Sequence, residues 1–242
     1  FQFRFERIVC YILVIVFLAD FCSHGKADRK WFNPLVCLLL LAQLLINICP
    51  TTETVSLFGG IYVATPAANM MKSILTFGTL IVVLQSRNWL TVTSTKQNEG
   101  EFYMLTVSTL LGMFMMMSAG SFLMFFLGLE MASVPMGCMV ALDKYRNNSA
   151  EAAAKFILTA IFSSGIMLYG ISFLYGSTGT MYFADFSRAL RYSPMAIMGM
   201  VFFIAGLGFK ISLVPFHFWT ADTYQGAPTT VTGYLSVISK GA

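Results

Sequence analysis

The stretch "GLGFKISLVPFHFW", Gly206 to Trp219, decides the fold, because it places a lysine, a proline and a histidine inside an apolar run. Pro215 lacks a backbone N–H and its ring clashes with the preceding turn, so a helix here must kink or break near 211–215. In a membrane, the freed carbonyls are tolerated only against protein or a water-filled cavity. The stretch therefore predicts a discontinuous membrane helix with a cation, Lys210, beside the break. The open alternative is an ordinary proline kink that shapes packing.

The composition of the whole chain is that of a polytopic membrane protein. Of the 242 residues, 57% are hydrophobic and 11% are charged, and this charged share is about half that of a soluble domain. The net charge of +4 does not argue for nucleic acid, because the basic residues lie in short clusters between apolar runs. Anionic lipid and the positive-inside rule account for such clusters. We expect the lipid bilayer as a partner and no nucleic acid.

The residues that usually hold metals and redox cofactors are scarce. The five cysteines show no CxxC spacing, and the only histidines are His24 and His217. The "GLG" at 206–208 lacks the third glycine of a dinucleotide fingerprint. We expect packed thiols, no metal and no cofactor in this chain.

Apolar runs predict the transmembrane helices. A bilayer core of about 30 Å needs about 20 apolar residues in helical form, and lipid leaves no other partner for the backbone. The fold class is therefore all-α polytopic membrane protein, with about eight transmembrane helices. We also expect a piece of a longer chain, because the sequence begins without Met and stops within an apolar run. The runs are 8–23, 34–50, 68–86, 102–119, 121–142, 151–175, 194–219 and 228–242.

The basic residues assigned to loops give a weak orientation. One side holds Arg4, Arg7, Lys72, Arg188 and Arg191. The other side holds Lys26, Arg29, Lys30, Arg87, Lys96, Lys144 and Arg146. The more basic side is expected to face the cytoplasm or the mitochondrial matrix, which would put the N-terminus outside.

Four charges are not accounted for by loops, namely Glu130, Lys155, Lys210 and Lys240. Each would cost about 2.5–3.5 kcal/mol at the bilayer centre, so they should face one another or a wet interior. The alternatives are a structural ion pair for Glu130 and snorkelling to the interface for Lys155. His217 would share a face with Lys210 in an unbroken helix, and it is either a packing residue or a proton carrier.

A Glu–Lys pair of this kind can work as a proton switch. At about 4 Å and an effective dielectric constant near 20, the contact is worth about 4 kcal/mol. Moving one charge against about 100 mV costs about 2.3 kcal/mol, which making or breaking the contact could supply. A row of such groups would form a relay.

Two stretches resemble a known family. "FLGLEMASVPMGCMVAL" resembles the fifth helix, and "GLGFKISLVPFHFWTADTYQGAPTTVTGYLSVISKGA" the seventh and eighth helices, of the antiporter-like membrane subunits of respiratory complex I. Within that family, "DTYQGAPT" and "SVISK" look like the N-type branch, called type 2 in mitochondria. The similarity is strong from about Glu101 onward and loose before it. Ala221 and Thr230 stand where the family commonly has proline.

The resemblance implies roles for the buried charges. Glu130 would be the essential glutamate, Lys210 the lysine of the broken helix and Lys240 that of the eighth helix, with Lys155 and His217 as secondary relay groups. Protons would move along this axis, coupled to quinone reduction elsewhere in NADH:quinone oxidoreductase. The chain itself would bind no cofactor and no quinone.

The resemblance also implies an organisation and a location. Residues 1–100 would form three N-terminal transmembrane helices, and residues 101–242 the first antiporter-like repeat, helices four to eight, of an inverted-repeat fold. The partners would be other membrane subunits of complex I, including neighbouring antiporter-like subunits. The location would be the bacterial cytoplasmic (inner) membrane or the mitochondrial inner membrane.

Two alternatives stay open at this point. One is an antiporter-like subunit of a multi-subunit cation/proton antiporter or of a membrane-bound hydrogenase. The other is a structural membrane subunit without a working channel, in which the lysines would be dry or lipid-facing.

Overall fold

The computed structural model describes residues 4–23, 31–48, 54–92, 98–143 and 147–242. Helices dominate them, as the long apolar runs predict. The helices are α1 (Arg4–Ser23), α2 (Phe32–Ile48), α3 (Pro66–Val92), α4 (Glu99–Met117), α5 (Phe122–Val140), α6 (Asn147–Thr178), α7 (Phe183–Ala189), α8 (Pro194–Ile211), α9 (Phe218–Gly226), α10 (Thr229–Gly233) and α11 (Ser239–Gly241). A π-helical turn, Tyr234–Ile238, joins α10 to α11.

Five of the described helices, α3, α4, α5, α6 and α8, are long and apolar enough to cross a membrane. α2 is apolar but shorter, with 17 residues, and α1 carries Arg4, Glu6, Arg7 and Asp20. The all-α membrane fold is therefore confirmed. α7 is a short helix that lies between the predicted spans 151–175 and 194–219.

A small β-hairpin lies between α2 and α3, outside the predicted spans. Strand β1 (Val55–Leu57) pairs antiparallel with β2 (Tyr62–Ala64). The hairpin turns at Gly59 and Gly60, whose φ angles of 66° and 95° suit glycine. It covers the end of the bundle at which α4 meets α5.

Backbone hydrogen bonds hold the hairpin to that end of the bundle. The N–H of Val63 donates to Ser118 O at 2.9 Å, and the N–H of Gly120 donates to Ile61 O at 2.7 Å. On the other side of the same turn, the N–H of Phe183 donates to Gly120 O at 3.0 Å. We call the hairpin, the turn 118–121 and the segment 180–183 the belt, because together they tie α3, α4, α5 and α6.

Helices α4 and α5 approach each other closely at two glycines. A Cβ atom at Gly112 would lie 2.5 Å from the backbone nitrogen of Ala132, and one at Gly128 would lie 2.6 Å from that of Met116. Because these neighbours are backbone atoms, they cannot rotate away. α5 is therefore fixed against α4 at this depth.

We expect Gly128→Ala to destabilise the protein by about 1–3 kcal/mol, the usual cost of overpacking a close contact. Gly165→Ala is the matched control, because Gly165 also lies within a long helix and a Cβ there would meet no atom within 4 Å. That substitution should be neutral or slightly stabilising. Thermal unfolding of the purified full-length protein checks both, and equal effects would contradict the close contact.

The position of Lys72 corrects the count of basic loop residues on the two sides of the membrane. It lies within α3, not in a loop, and its side chain is fully buried. Several other basic residues in that count lie outside the described residues, namely Lys26, Arg29, Lys30, Lys96, Lys144 and Arg146.

Candidate functional site

The predicted helix break is confirmed. α8 ends at Ile211, and the next residue, Ser212, adopts a left-handed conformation with φ 63°. Helix resumes at Phe218 in α9. Pro215 lies between the two half-helices, where it donates no backbone hydrogen bond.

At the break, N–H groups of the protein donate to backbone carbonyls at the end of the interrupted helix. The N–H of Leu213 donates to Gly208 O at 2.8 Å. The indole N–H of Trp219 reaches back from α9 and donates to Phe209 O at 3.0 Å. Protein groups therefore replace part of the helical hydrogen bonding that the break removes, as a membrane requires.

Trp219→Phe tests the indole contact, because it removes one donor and keeps an aromatic ring near Phe156, which lies 5.2 Å away between centroids. The Phe209 carbonyl still accepts from the N–H of Ser212 at 3.2 Å, so the variant loses one hydrogen bond, worth about 0.5–1.5 kcal/mol, and we expect a slightly lower melting temperature of the full-length protein. Trp31→Phe is the control, since Trp31 is 46% exposed. A melting temperature that stays unchanged in Trp219→Phe would mean that the indole does not support the break.

Glu130 and Lys210 form an ion pair beside the break. The Lys210 Nζ lies 3.3 Å from the Glu130 Oε1, and the two side chains are 14% and 26% exposed respectively. Lys210 also stands in the last turn of α8, where the negative end of the helix dipole favours a cation. The two opposite charges therefore stabilise each other in a mostly buried site, and the end of α8 further stabilises the lysine.

Two serines form hydrogen bonds with the Glu130–Lys210 pair. Lys210 Nζ donates to Ser133 Oγ at 3.1 Å, and Ser164 Oγ donates to the Glu130 carboxylate. The sequence analysis missed both serines. The signal for Ser133 was its spacing of three residues from Glu130, which places both on one helix face, whereas Ser164 comes from another helix.

A cavity of about 410 Å³ opens beside this pair and has Lys210 and Lys240 in its lining. Its walls are mostly apolar, with hydroxyl groups from Ser133, Thr159, Ser163 and Ser239. The Lys240 Nζ lies 5.2 Å from the centroid of the Tyr224 ring, a cation–π contact. The cavity has room for several water molecules and polar groups to bind them. Lys210, which is paired with Glu130, and Lys240 therefore border the same cavity.

Lys155 and His217 do not line this cavity. Lys155 is 44% exposed and contacts Asp222 Oδ2 at 2.6 Å and Glu151 Oε1 at 2.8 Å. This pairing joins α6 to α9, and the sequence analysis missed Asp222 as the partner. His217 is exposed and stacks on Phe218, with ring centroids 4.9 Å apart. Because the helix ends between the two residues, the face that His217 and Lys210 would share in an unbroken helix does not form.

The chemistry available here is acid–base chemistry. The site combines a carboxylate, two amines and several hydroxyls around a space that water can enter. Among the described residues, no group of three or more His, Cys, Asp or Glu side chains could hold a metal ion. The arrangement can bind protons, and it can pass them between Lys210 and Lys240 through hydroxyls and water.

Comparison with known proteins gives consistent matches. Residues 119–242 match the sequence model of the family described as NADH:quinone oxidoreductase/Mrp antiporter, transmembrane. The NADH-quinone oxidoreductase subunit N of Phocaeicola vulgatus is 58% identical over 237 residues, which are 98% of this chain and 50% of that protein. This chain therefore spans about half the length of the relative it matches.

Solved structures share the fold. A chain in the structure of respiratory complex I from Thermus thermophilus with bound aureothin matches with a TM-score of 0.82 and 26% identity, over 98% of this chain and 51% of that one. A chain of an archaeal membrane-bound sulfane sulfur reductase matches with a TM-score of 0.78, over 98% of this chain and 50% of that one. Because its identity is only 21%, this second likeness shows the fold alone.

Proposed function

Since this chain belongs to the NADH:quinone oxidoreductase/Mrp antiporter family of transmembrane proteins, we propose that it is part of a proton-translocating subunit, of the N type, of NADH:quinone oxidoreductase. The observation that carries the proposal is the Glu130–Lys210 pair, which stands at a helix break and opens on a cavity shared with Lys240. Relatives bearing the subunit N name are bacterial, so the proposed location is the bacterial inner membrane.

In the proposed mechanism, Glu130 controls the proton on Lys210. While the carboxylate lies at 3.3 Å, it stabilises the ammonium form of the lysine. When the two separate, burial favours the neutral amine, and the proton leaves into the cavity. The break allows this separation, because the end of a half-helix can shift without breaking a continuous ladder of hydrogen bonds.

Lys240, which lines the same cavity, is the proposed acceptor. The hydroxyls of Ser133, Thr159 and Ser239 also line the cavity. Water bound between these hydroxyls would carry the proton from Lys210 to Lys240. The Tyr224 ring stabilises Lys240 once it is charged. Lys155, with Asp222, and His217 are proposed as secondary relay groups outside the cavity.

The proposed organisation divides the chain after residue 100, as the sequence analysis does. Residues 1–100 form an N-terminal segment and residues 101–242 the antiporter-like repeat that holds the pair.

Apolar side chains on α6 and α8 are exposed, for example Leu158, Phe162 and Val201. They suit contact with lipid and with other membrane subunits of the complex, the proposed partners. The reaction with NADH and quinone takes place elsewhere in that complex.

NADH-driven proton uptake by inverted membrane vesicles tests the function. The vesicles carry the complex with the full-length subunit, and quinone reduction is followed in parallel. We expect proton uptake that a protonophore collapses and that does not require sodium. A sodium requirement would instead support a cation/proton antiporter, the alternative that the family description contains. Proton uptake that survives removal of the Glu130 and Lys210 side chains would favour a structural subunit.

A further inference from the structure

A second acid–lysine pair lies outside the region that matches the family model. Glu6 on α1 and Lys72 on α3 are 4% and 0% exposed. Lys72 Nζ lies 2.6 Å from Glu6 Oε1 and donates to Ser118 Oγ at 2.5 Å. This pair has the same kinds of partners as the Glu130–Lys210 pair, in which the lysine also contacts one glutamate oxygen and one serine hydroxyl. The pair, Ser118 and Tyr62 are called the second site below.

Aromatic rings surround the lysine of the second site. Its Nζ lies 5.6 Å from the centroids of the Phe5 and Tyr62 rings and 5.8 Å from that of Phe114. Three ring faces and a serine oxygen stabilise an ammonium ion even without a full negative charge beside it. These contacts offset part of the cost of burying the ammonium ion, so Lys72 has support for its proton that does not depend on the charge of Glu6.

The two oxygens of the Glu6 carboxyl are in unequal surroundings. Oε1 accepts from three donors: Lys72 Nζ at 2.6 Å, the Tyr62 hydroxyl at 2.9 Å and Ser118 Oγ at 3.4 Å. Oε2 is buried and has no hydrogen-bond partner among the described residues. An ionised carboxylate spreads its charge over both oxygens, so a buried oxygen without a donor is costly. A proton on Oε2 removes that charge and leaves every bond to Oε1 in place.

The groups facing Glu6 come from three elements around α1. They are Lys72 on α3, Tyr62 on β2 and Ser118 after α4, with Cys10 one turn along α1 itself. Burial and the Glu6 carboxylate raise the pKa of Tyr62. Its hydroxyl therefore stays protonated at physiological pH and remains a donor.

We propose that Glu6 and Lys72 form a second protonatable pair, in which Glu6 Oε2 takes up a proton and releases it as the complex turns over. The proton comes from water at the hairpin end of the bundle, and it forms an O–H bond on Oε2. The charge of the pair changes from zero to +1, because Lys72 remains an ammonium ion. This inference rests on the proposed function, since turnover supplies the change that moves the proton.

The belt offers a physical link between the two sites. Ser118 follows the last residue of α4, and α4 is fixed against α5, which carries Glu130, at Gly112 and Gly128. A shift of α5 during proton transfer at Glu130 therefore moves Ser118 relative to Lys72. Because Ser118 bonds both members of the second pair, such a shift changes the donors on Glu6 Oε1.

Infrared difference spectroscopy of the intact complex, with NADH added minus resting, tests this inference. A protonated carboxyl has a C=O stretching band that a carboxylate lacks. We expect such a band in the complex with the wild-type subunit and its loss in Glu6→Gln. Glu101→Gln is the matched control, because Glu101 is an exposed glutamate in the first turn of α4, and it should leave the band unchanged.

A second variant keeps the test decisive if Glu6→Gln does not assemble. Tyr62→Phe removes one hydrogen bond to Oε1 and leaves the ion pair, so the same band should move to higher frequency. A pumping complex without a band that responds to either variant would overturn the inference, since Glu6 would then not exchange a proton during turnover. Failure of the proposed function itself would look different, as an assembled complex that reduces quinone without moving protons.

Discussion

Lys210→Ala is expected to abolish coupled proton translocation in a complex that still assembles. The lysine is the group between Glu130, at 3.3 Å, and the cavity that leads to Lys240. Without it, a proton on the glutamate side has no amine to receive it. Positioned acid–base groups typically contribute about 10²–10⁴-fold to a rate, so we expect pumping to fall at least about a hundredfold.

The measurement is the number of protons moved per quinone reduced, in membranes carrying the full-length subunit. The amount of assembled complex must be checked in each sample, because a misfolded subunit also gives no signal. Arg188→Ala is the control, since it removes an exposed basic side chain on α7, away from the cavity. Normal pumping in Lys210→Ala would make this lysine structural and the break an ordinary kink.

Lys72→Met should have the largest effect on stability. It leaves the Glu6 carboxyl 4% exposed and without its cation, and breaking a buried pair in this way typically costs about 3–5 kcal/mol. We expect less assembled complex and a clearly lower melting temperature. Lys72→Met combined with Glu6→Gln should recover much of the loss, because no unpaired charge remains.

The comparison of single and double variants gives the coupling between the two side chains. The double variant should be more stable than Lys72→Met alone. If the second substitution instead adds a further loss, the pair does not account for the stability of this end of the bundle. Thermal unfolding of the purified full-length protein decides between the two results.

The break and the main charges were predictable because their causes are local. Pro215 limits the helix whatever surrounds it, and the structure ends α8 four residues earlier, at Ile211. Glu130, Lys210 and Lys240 stand out because a charge deep in an apolar run needs a polar neighbour. The sequence could not give the identity of those neighbours when they lie far along the chain, as Ser164 does for Glu130.

The second site was missed for a different reason. Lys72 comes shortly after Pro66, at the start of a helix, and this position resembles that of an interfacial lysine. Its partner Glu6 is 66 residues away, so no local pattern connects them. The hairpin did carry a signal, because β-branched and aromatic residues flank "FGG" at 58–60. Helical spacing could not locate His217 relative to Lys210, because that spacing applies only within one continuous helix.

The central claim is that the Glu130–Lys210 pair drives the movement of protons. Its most direct test is the proton-to-quinone ratio of the assembled complex with Glu130→Gln, which keeps the shape of the side chain and removes its charge. Ser133 and Lys210 remain in place, so the cavity and the break should persist. The account predicts that the ratio falls to the background of membranes treated with a protonophore. A ratio equal to that of the unmodified complex would contradict it.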